Sequence, residues 1–249
     1  MEINKFGSDS RSEESSNFNS SRARLEIKDF SYYFDLSNFK HKAIFDDCEY
    51  IFDFIKKLEG YVSKNLKPEI LGEVHPGAFV GDNVFLGKGS VVQPGAWIMG
   101  PAIIGENCQI RHGAFVGANT LVGDRVVIGH ASEVGNSIFL NESHAPHFAF
   151  VGNSILGNKV NLGAGTKLSN LKVTMKEIEI EGIKTGLEKI GAIIGDNSSL
   201  GCNTVLQPAT FVGKNVYSYP LALMRGFIPS NTIIKVRQQQ EESPFDANR

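Results

Sequence analysis

The sequence predicts an all-β protein, a parallel β-helix wound from six-residue units, and three observations carry that reading. Aliphatic residues recur every sixth position at Val74, Val80, Leu86, Val92, Ile98, Ile104, Ile110, Val116, Val122, Ile128, Val134 and Leu140. Glycine follows directly at Gly81, Gly87, Gly105, Gly117, Gly123, Gly129 and Gly135. Small or β-branched residues stand four places on, as at Ala78, Ser90, Ala96, Ala102, Ala114, Thr120 and Ser132. Twelve aliphatic residues in twelve steps is a run that chance gives well under about once in a million.

A period of two alone makes a strand, whereas a period of six with a corner glycine makes a short strand and a turn. Three units close a triangular coil with the aliphatic residue inside and small residues beside it. Coils then stack at roughly 4.8 Å and extend their backbone hydrogen bonds along the axis. After a one-residue phase break the frame returns at Leu156, Leu162 and Leu168, and again at Ile194, Leu200, Leu206 and Val212. Nineteen such positions predict a little over six coils, a prism roughly 30 Å long.

The flanking elements follow in order. Residues 1–24 hold seven serines and few large apolar side chains, too little burial to offset chain entropy, and are expected to be disordered. Residues 25–66 form a helical N-terminal segment. Within it Cys48, Ile51, Phe52, Ile55, Leu58 and Val62 fall at helical steps, with Asp46 and Asp47 placed to start one amphipathic helix running to about Asn65. Its apolar stripe must pack on the end of the next domain or on another subunit. The β-helix domain is expected over 67–236, with an inserted arm or hairpin at 172–191 where alternation in Lys176–Ile180 is followed by glycine. Residues 237–249 read as a disordered tail.

Composition narrows the function. A formal net charge of -2, from 25 basic and 27 acidic residues, gives no electrostatic footprint for nucleic acid or anionic membrane. No run of 18 apolar residues occurs, so neither a membrane span nor membrane insertion is expected. Cys48, Cys108 and Cys202 lie far apart with no C-x-x-C pair, which fits a reduced, cytoplasmic protein rather than a disulfide framework.

The stretch 144–172, H-A-P-H-F-A-F-V-G-N-S-I-L-G-N-K-V-N-L-G-A-G-T-K-L-S-N-L-K, resembles the acetyltransferase domain of the bacterial bifunctional glucosamine-1-phosphate acetyltransferase and N-acetylglucosamine-1-phosphate uridyltransferase. That domain is a member of the left-handed hexapeptide-repeat acyltransferases, and the handedness comes from the resemblance. The likeness continues through K-I-G-A-I-I-G-D-N-S-S-L-G-C-N-T, residues 189–204. It implies an N-acetyltransferase that moves an acetyl group from acetyl-CoA to the amine of a sugar phosphate or nucleotide sugar. His147 would be the general base, since imidazole titrates near neutrality and the attacking amine must lose a proton. Arg111, Phe150, Asn161, Asn170 and Lys189 would bind the acceptor, and Ala164, Cys202 and Arg225 the coenzyme, with no metal in the site. Family members are homotrimers with sites between prisms. Here Phe79, Phe85, Trp97 and Phe115 are the expected apolar interface residues.

Three departures bear on substrate. Phe150 stands where the family has a tyrosine, Gly135 where it has a phosphate-binding lysine, and Cys202 where it has a serine. No L-A-A-G-x-G nucleotide loop occurs, so the uridyltransferase half is not expected here. Two rivals follow. One is a non-catalytic or degenerate prism that binds a sugar nucleotide, favoured by Gly135 and Phe150. The other is a zinc enzyme like the carbonic anhydrases that share the prism, because His112 and His130 are one coil apart and should stack about 5 Å from each other. In the hexad count His144 and His147 fall in other phases. O-acylation with a longer donor is a further alternative, but the H-x-A-H-D type of signature is absent.

Overall fold

The computed structural model describes residues 26–244. The disordered segment expected at 1–24 lies outside them, as do residues 245–249 of the tail expected at 237–249; residues 237–244 form no helix or strand and are exposed. The chain winds into a three-faced parallel β-helix whose faces hold nine, nine and eight strands. The first face runs from Glu69–Ile70 to Phe227–Ile228, the second from Glu73–Val74 to Ile233–Ile234, and the third from Phe79–Val80 to Leu223–Met224. The prism therefore has nine coils, not six. The additional strands carry a weaker hexad signature, at Glu69–Ile70 before the run, at His144–His147 and Phe150–Gly152 across the phase break, and at Tyr217–Ser218, Leu223–Met224, Phe227–Ile228 and Ile233–Ile234 after it.

The interior is the aliphatic column. Leu86, Ile98, Ile104, Ile110, Val116, Ile128, Leu162, Leu168 and Ile194 are fully buried, with Ala96, Ala114, Thr120 and Ser132 filling the corners beside them. Each such aliphatic side chain contributes about 1.5–3 kcal/mol by leaving water. Leu140 is not part of this column. Coils near the N-terminus pair residues eighteen apart, as in Val122 with Ile104, but Val122 also pairs with Phe139, seventeen on. The step from Val134 inward to Phe139 is five residues, and a second five-residue step joins Val151 to Leu156. Phe139 thus fills the interior, and Leu140 turns out into a second apolar cluster.

That second cluster covers the first face. Ile103, Leu121, Ile138, Ile155, Ile193 and Phe211 point outward there and meet Phe34, Phe39, Phe52, Ile55, Leu58 and Val62 of the N-terminal segment. The segment comprises a short helix α1 (Phe30–Tyr33), two turns of 3₁₀-helix (Lys42–Phe45 and Ile51–Asp53) and helix α2 (Phe54–Asn65). The helix begins eight residues later than the apolar spacing suggests. Asp47 sits at φ +57, and a reciprocal bond pair between Tyr50 and Asp53 caps the 3₁₀ turn Ile51–Asp53 that leads into the helix. Cys48 precedes the helix and bonds the Ile44 carbonyl. The stripe packs on the chain's own prism. Asp196, 4% exposed, ties the two parts together: its Oδ2 accepts the Asp35 N–H at 2.7 Å and its Oδ1 accepts the Asn158 N–H at 2.7 Å.

Between Leu168 and Ala192 the chain makes a two-stranded hairpin, Glu179–Ile180 against Ile183–Lys184. Ile178 and Ile180 are buried in the first-face cluster, so the hairpin folds back instead of projecting. Phe85 also packs against that cluster, which removes it from the expected interface set. Phe79, Trp97 and Phe115 remain as an exposed row on the third face, with Phe79 and Trp97 stacked at 4.0 Å.

Candidate functional site

His147 ends the second-face strand His144–His147, at the corner before the third face, and is exposed. The strand is held close to the coil below. A side chain at Gly129 would overlap the Pro146 carbonyl, so only glycine allows that approach. His147 is the Cα partner of His130, and its carbonyl accepts the Gly165 N–H at 3.0 Å. The Ala164 carbonyl accepts the Asn203 N–H at 2.8 Å in the same way. His130, His147, Ala164 and Cys202 therefore form one column up this corner, and Cys202 is exposed. The shortened coils bring His147 into phase with His112 and His130, which the hexad count places apart.

The two histidines below it are fixed by the backbone. Their rings stack at 5.5 Å with an interplanar angle of 11°, close to the spacing expected from one coil. His112 Nδ1 lies 2.7 Å from the Pro94 carbonyl and His130 Nδ1 3.1 Å from the His112 carbonyl. A carbonyl only accepts, so Nδ1 carries a proton in both rings. Among the described residues no three His, Cys, Asp or Glu side chains converge on one point. The His147 ring makes no hydrogen bond among the described residues.

A second group lies on the second face. Arg111 is half-buried, and its Nε and Nη2 donate to Gln109 Oε1 at 3.0 and 2.9 Å. Burial, and then the Arg111 charge, hold the His144 imidazole below the ordinary histidine pKa. Asn161 is the Cα partner of His144, and its Nδ2 reaches Ser199 Oγ at 3.5 Å.

A third group lines a groove of about 420 Å³ on the third face, which brings together Phe150, Asn170, Lys189 and Gly135. Asn170 Nδ2 donates to Asn153 Oδ1 at 2.8 Å, and Lys189 is exposed and bridged to Leu171. With Gly135 at its floor the groove carries one lysine. His147 stands at the corner that opens the same face, three residues before the groove's Phe150. Arg225 is exposed after the last third-face strand. Register places it three coils beyond Gly152, roughly 14 Å along the axis. Within one chain the nine sequence-assigned residues thus divide among the His147 column, the second face, the third-face groove and the C-terminal end.

A family model described as the GMPPB C-terminal domain matches residues 98–185. A bifunctional sugar-1-phosphate nucleotidylyltransferase/acetyltransferase of Sulfurisphaera tokodaii is 32% identical over 104 residues, covering 40% of this chain and 26% of the relative. The bifunctional protein GlmU of Methanocaldococcus jannaschii is 32% identical over 110 residues, 41% of this chain and 26% of the relative. The chain thus matches about a quarter of the length of these relatives. The chain itself is built of hexapeptide repeats wound into a parallel β-helix.

Among solved structures, this hexapeptide-repeat protein is similar to the acetyltransferase domain of PglB from Neisseria gonorrhoeae, in complex with acetyl coenzyme A. Identity is 20%, with a TM-score of 0.35 and coverage of 74% of this chain and 62% of that one. It is also similar to the UDP-N-acetylglucosamine acyltransferase of Campylobacter jejuni at 17% identity and a TM-score of 0.45, covering 63% and 69%.

One residue of the hexapeptide-repeat corner went unassigned from sequence. Phe148 follows His147 at φ +51, is 55% exposed, and sets its ring edge-on to His130 at 5.0 Å and 74°. A signal was present: Gly113, Ala131, Gly165 and Asn203 occupy the same corner position in other coils, also at positive φ. A phenylalanine among them departs from what the backbone favours.

Proposed function

We propose that the chain is an acetyltransferase that moves the acetyl group of acetyl-CoA to the amine of a sugar phosphate or nucleotide sugar, with His147 as general base. The observation that carries this reading is the corner column, in which His147 stands exposed in line with Ala164 and Cys202. A base must reach the amine as it attacks the thioester, and an imidazole without an internal partner is available for that. Ala164 and Cys202 then receive the coenzyme along the column, with Arg225 as a guanidinium for its phosphates. Asn161, Arg111 and the groove residues Phe150, Asn170 and Lys189 bind the acceptor. The division of the assigned residues among different faces of one chain supports a site completed between prisms of a homotrimer, with the Phe79, Trp97 and Phe115 row as apolar contact area.

The relative named as a bifunctional sugar-1-phosphate nucleotidylyltransferase/acetyltransferase supports the acceptor class. The test is coenzyme A release from acetyl-CoA across a panel of amino-sugar phosphates and nucleotide amino sugars, with wild type beside His147→Ala. Turnover should fall at least about 100-fold in the variant. Equal turnover in both proteins would remove His147 from the mechanism.

A second reading is favoured by Gly135 and Phe150, which leave the groove without a second lysine and without a phenolic hydroxyl. In that reading the prism binds a sugar nucleotide and does no chemistry. Measurable nucleotide-sugar binding with no turnover of any panel member would select it.

A further inference from the structure

We propose that Phe148 is an acceptor-binding residue, its ring packing against the apolar face of the acceptor's sugar ring beside His147. The proposal rests on the acetyltransferase reading and adds a residue to it.

Folding gives no reason for a phenylalanine at this position. Its φ of +51 is the left-handed conformation, which costs a bulky side chain about 1–2 kcal/mol relative to glycine. Other coils place Gly113, Ala131, Gly165 and Asn203 here, with Leu221 near the C-terminal end. Burial gives no return either, because the side chain is 55% exposed. A strained, exposed aromatic ring that is neither core nor turn former points to a ligand.

The ring is also held in place. Its edge-on contact with His130 at 5.0 Å sits on a histidine whose Nδ1 bonds the His112 carbonyl and whose ring stacks on His112. Two stacked rings and one edge-on ring thus rise up the corner to the residue next to His147. An oriented ring of this kind offers a flat apolar surface without further ordering cost. A pyranose has such a face in its axial C–H groups. An amino sugar set against the ring would lie beside the exposed imidazole, where its amine can be deprotonated.

The test compares wild type, Phe148→Gly and Phe148→Trp. Acceptor KM, acetyl-CoA KM, thermal midpoint and, by calorimetry, direct binding of each acceptor in the panel are measured. Glycine is expected to raise acceptor KM and weaken acceptor binding at least about tenfold, leave acetyl-CoA KM within about twofold, and hold or raise the thermal midpoint. Tryptophan should retain acceptor binding. A lowered midpoint with unchanged acceptor KM in Phe148→Gly would show a buttress and overturn the proposal. Should wild type turn over no acceptor, the acetyltransferase reading fails on its own account. Binding still decides Phe148: weakening in the glycine variant sustains the platform, and equal binding, or none by wild type, ends it.

Discussion

His147 is the Cα partner of His130, seventeen residues before it, whereas coils nearer the N-terminus pair residues eighteen apart. The one-residue difference arises at the step from Val134 to Phe139 and decides which residue fills the interior. It makes Phe139 a core side chain, fully buried in the prism. Phe139→Ala should therefore cost about 3–5 kcal/mol in urea-induced unfolding. A loss under about 1 kcal/mol would mean that Leu140 occupies the interior and that the five-residue step is misplaced.

The repeat and its inward column were legible because hexads from Val74 to Val134 leave no competing phase. Beyond Val134 the two five-residue steps are not marked by any residue type, and a strict six-residue count therefore assigns Leu140 inward and sets His147 out of line with His130. The terminal coils were missed for a related reason: Ile70 pairs with Leu86 and Val212 with Ile228, each sixteen residues apart, so the six-residue frame breaks at both ends. The partner of the helix stripe went unread although Phe85, Ile103 and Leu121 recur once per coil, each one residue before an inward aliphatic, because the six-residue count follows only the inward position. Of the site, His147, Ala164 and Cys202 were legible by resemblance, but their sharing of one corner, and the place of Phe148 on it, depend on register.

The N-terminal segment is held to the prism through Asp196. Its carboxylate is the acceptor for the Asp35 and Asn158 N–H groups. Asp196→Ala leaves both without that partner in a half-buried setting and should cost more than about 2 kcal/mol. Limited proteolysis provides the matching readout, with cleavage within 26–66 accelerating before the prism is attacked. An unchanged digestion pattern would count against the staple.

Docking of that segment should weaken in mild acid. His41 lines a cavity of about 290 Å³ between the segment and the first face, with Nδ1 3.2 Å from the Tyr61 hydroxyl. Burial, then the neighbouring Lys40 charge, push its pKa below the ordinary histidine value. The folded state therefore binds fewer protons than the unfolded chain, and stability falls as pH drops from the unfolded value of about 6.5 through the depressed folded one. His144 is depressed in the same direction. His41→Gln should flatten part of this slope in urea midpoints taken between neutral and mildly acidic pH. A slope identical to wild type would leave His41 without a part in it.

Cysteine labelling tests the coenzyme column without requiring turnover. Cys108 is buried in the prism, and burial pushes its thiol up to about 11, so it should be inert to iodoacetamide at pH 8. Cys48 is half-buried, with its thiol also pushed up by burial. Cys202 is exposed on the His147 corner, one coil beyond Ala164, and should react first, as peptide mass spectrometry can show. If the pantetheine arm of the coenzyme runs along this column, saturating acetyl-CoA shields the thiol and slows that reaction at least about fivefold. Modification of Cys202 should in turn weaken acetyl-CoA binding while leaving the fold intact by circular dichroism, because the side chain packs against nothing in the interior. Labelling at the same rate with and without acetyl-CoA would move the coenzyme away from this corner, and with it the assignment of Ala164.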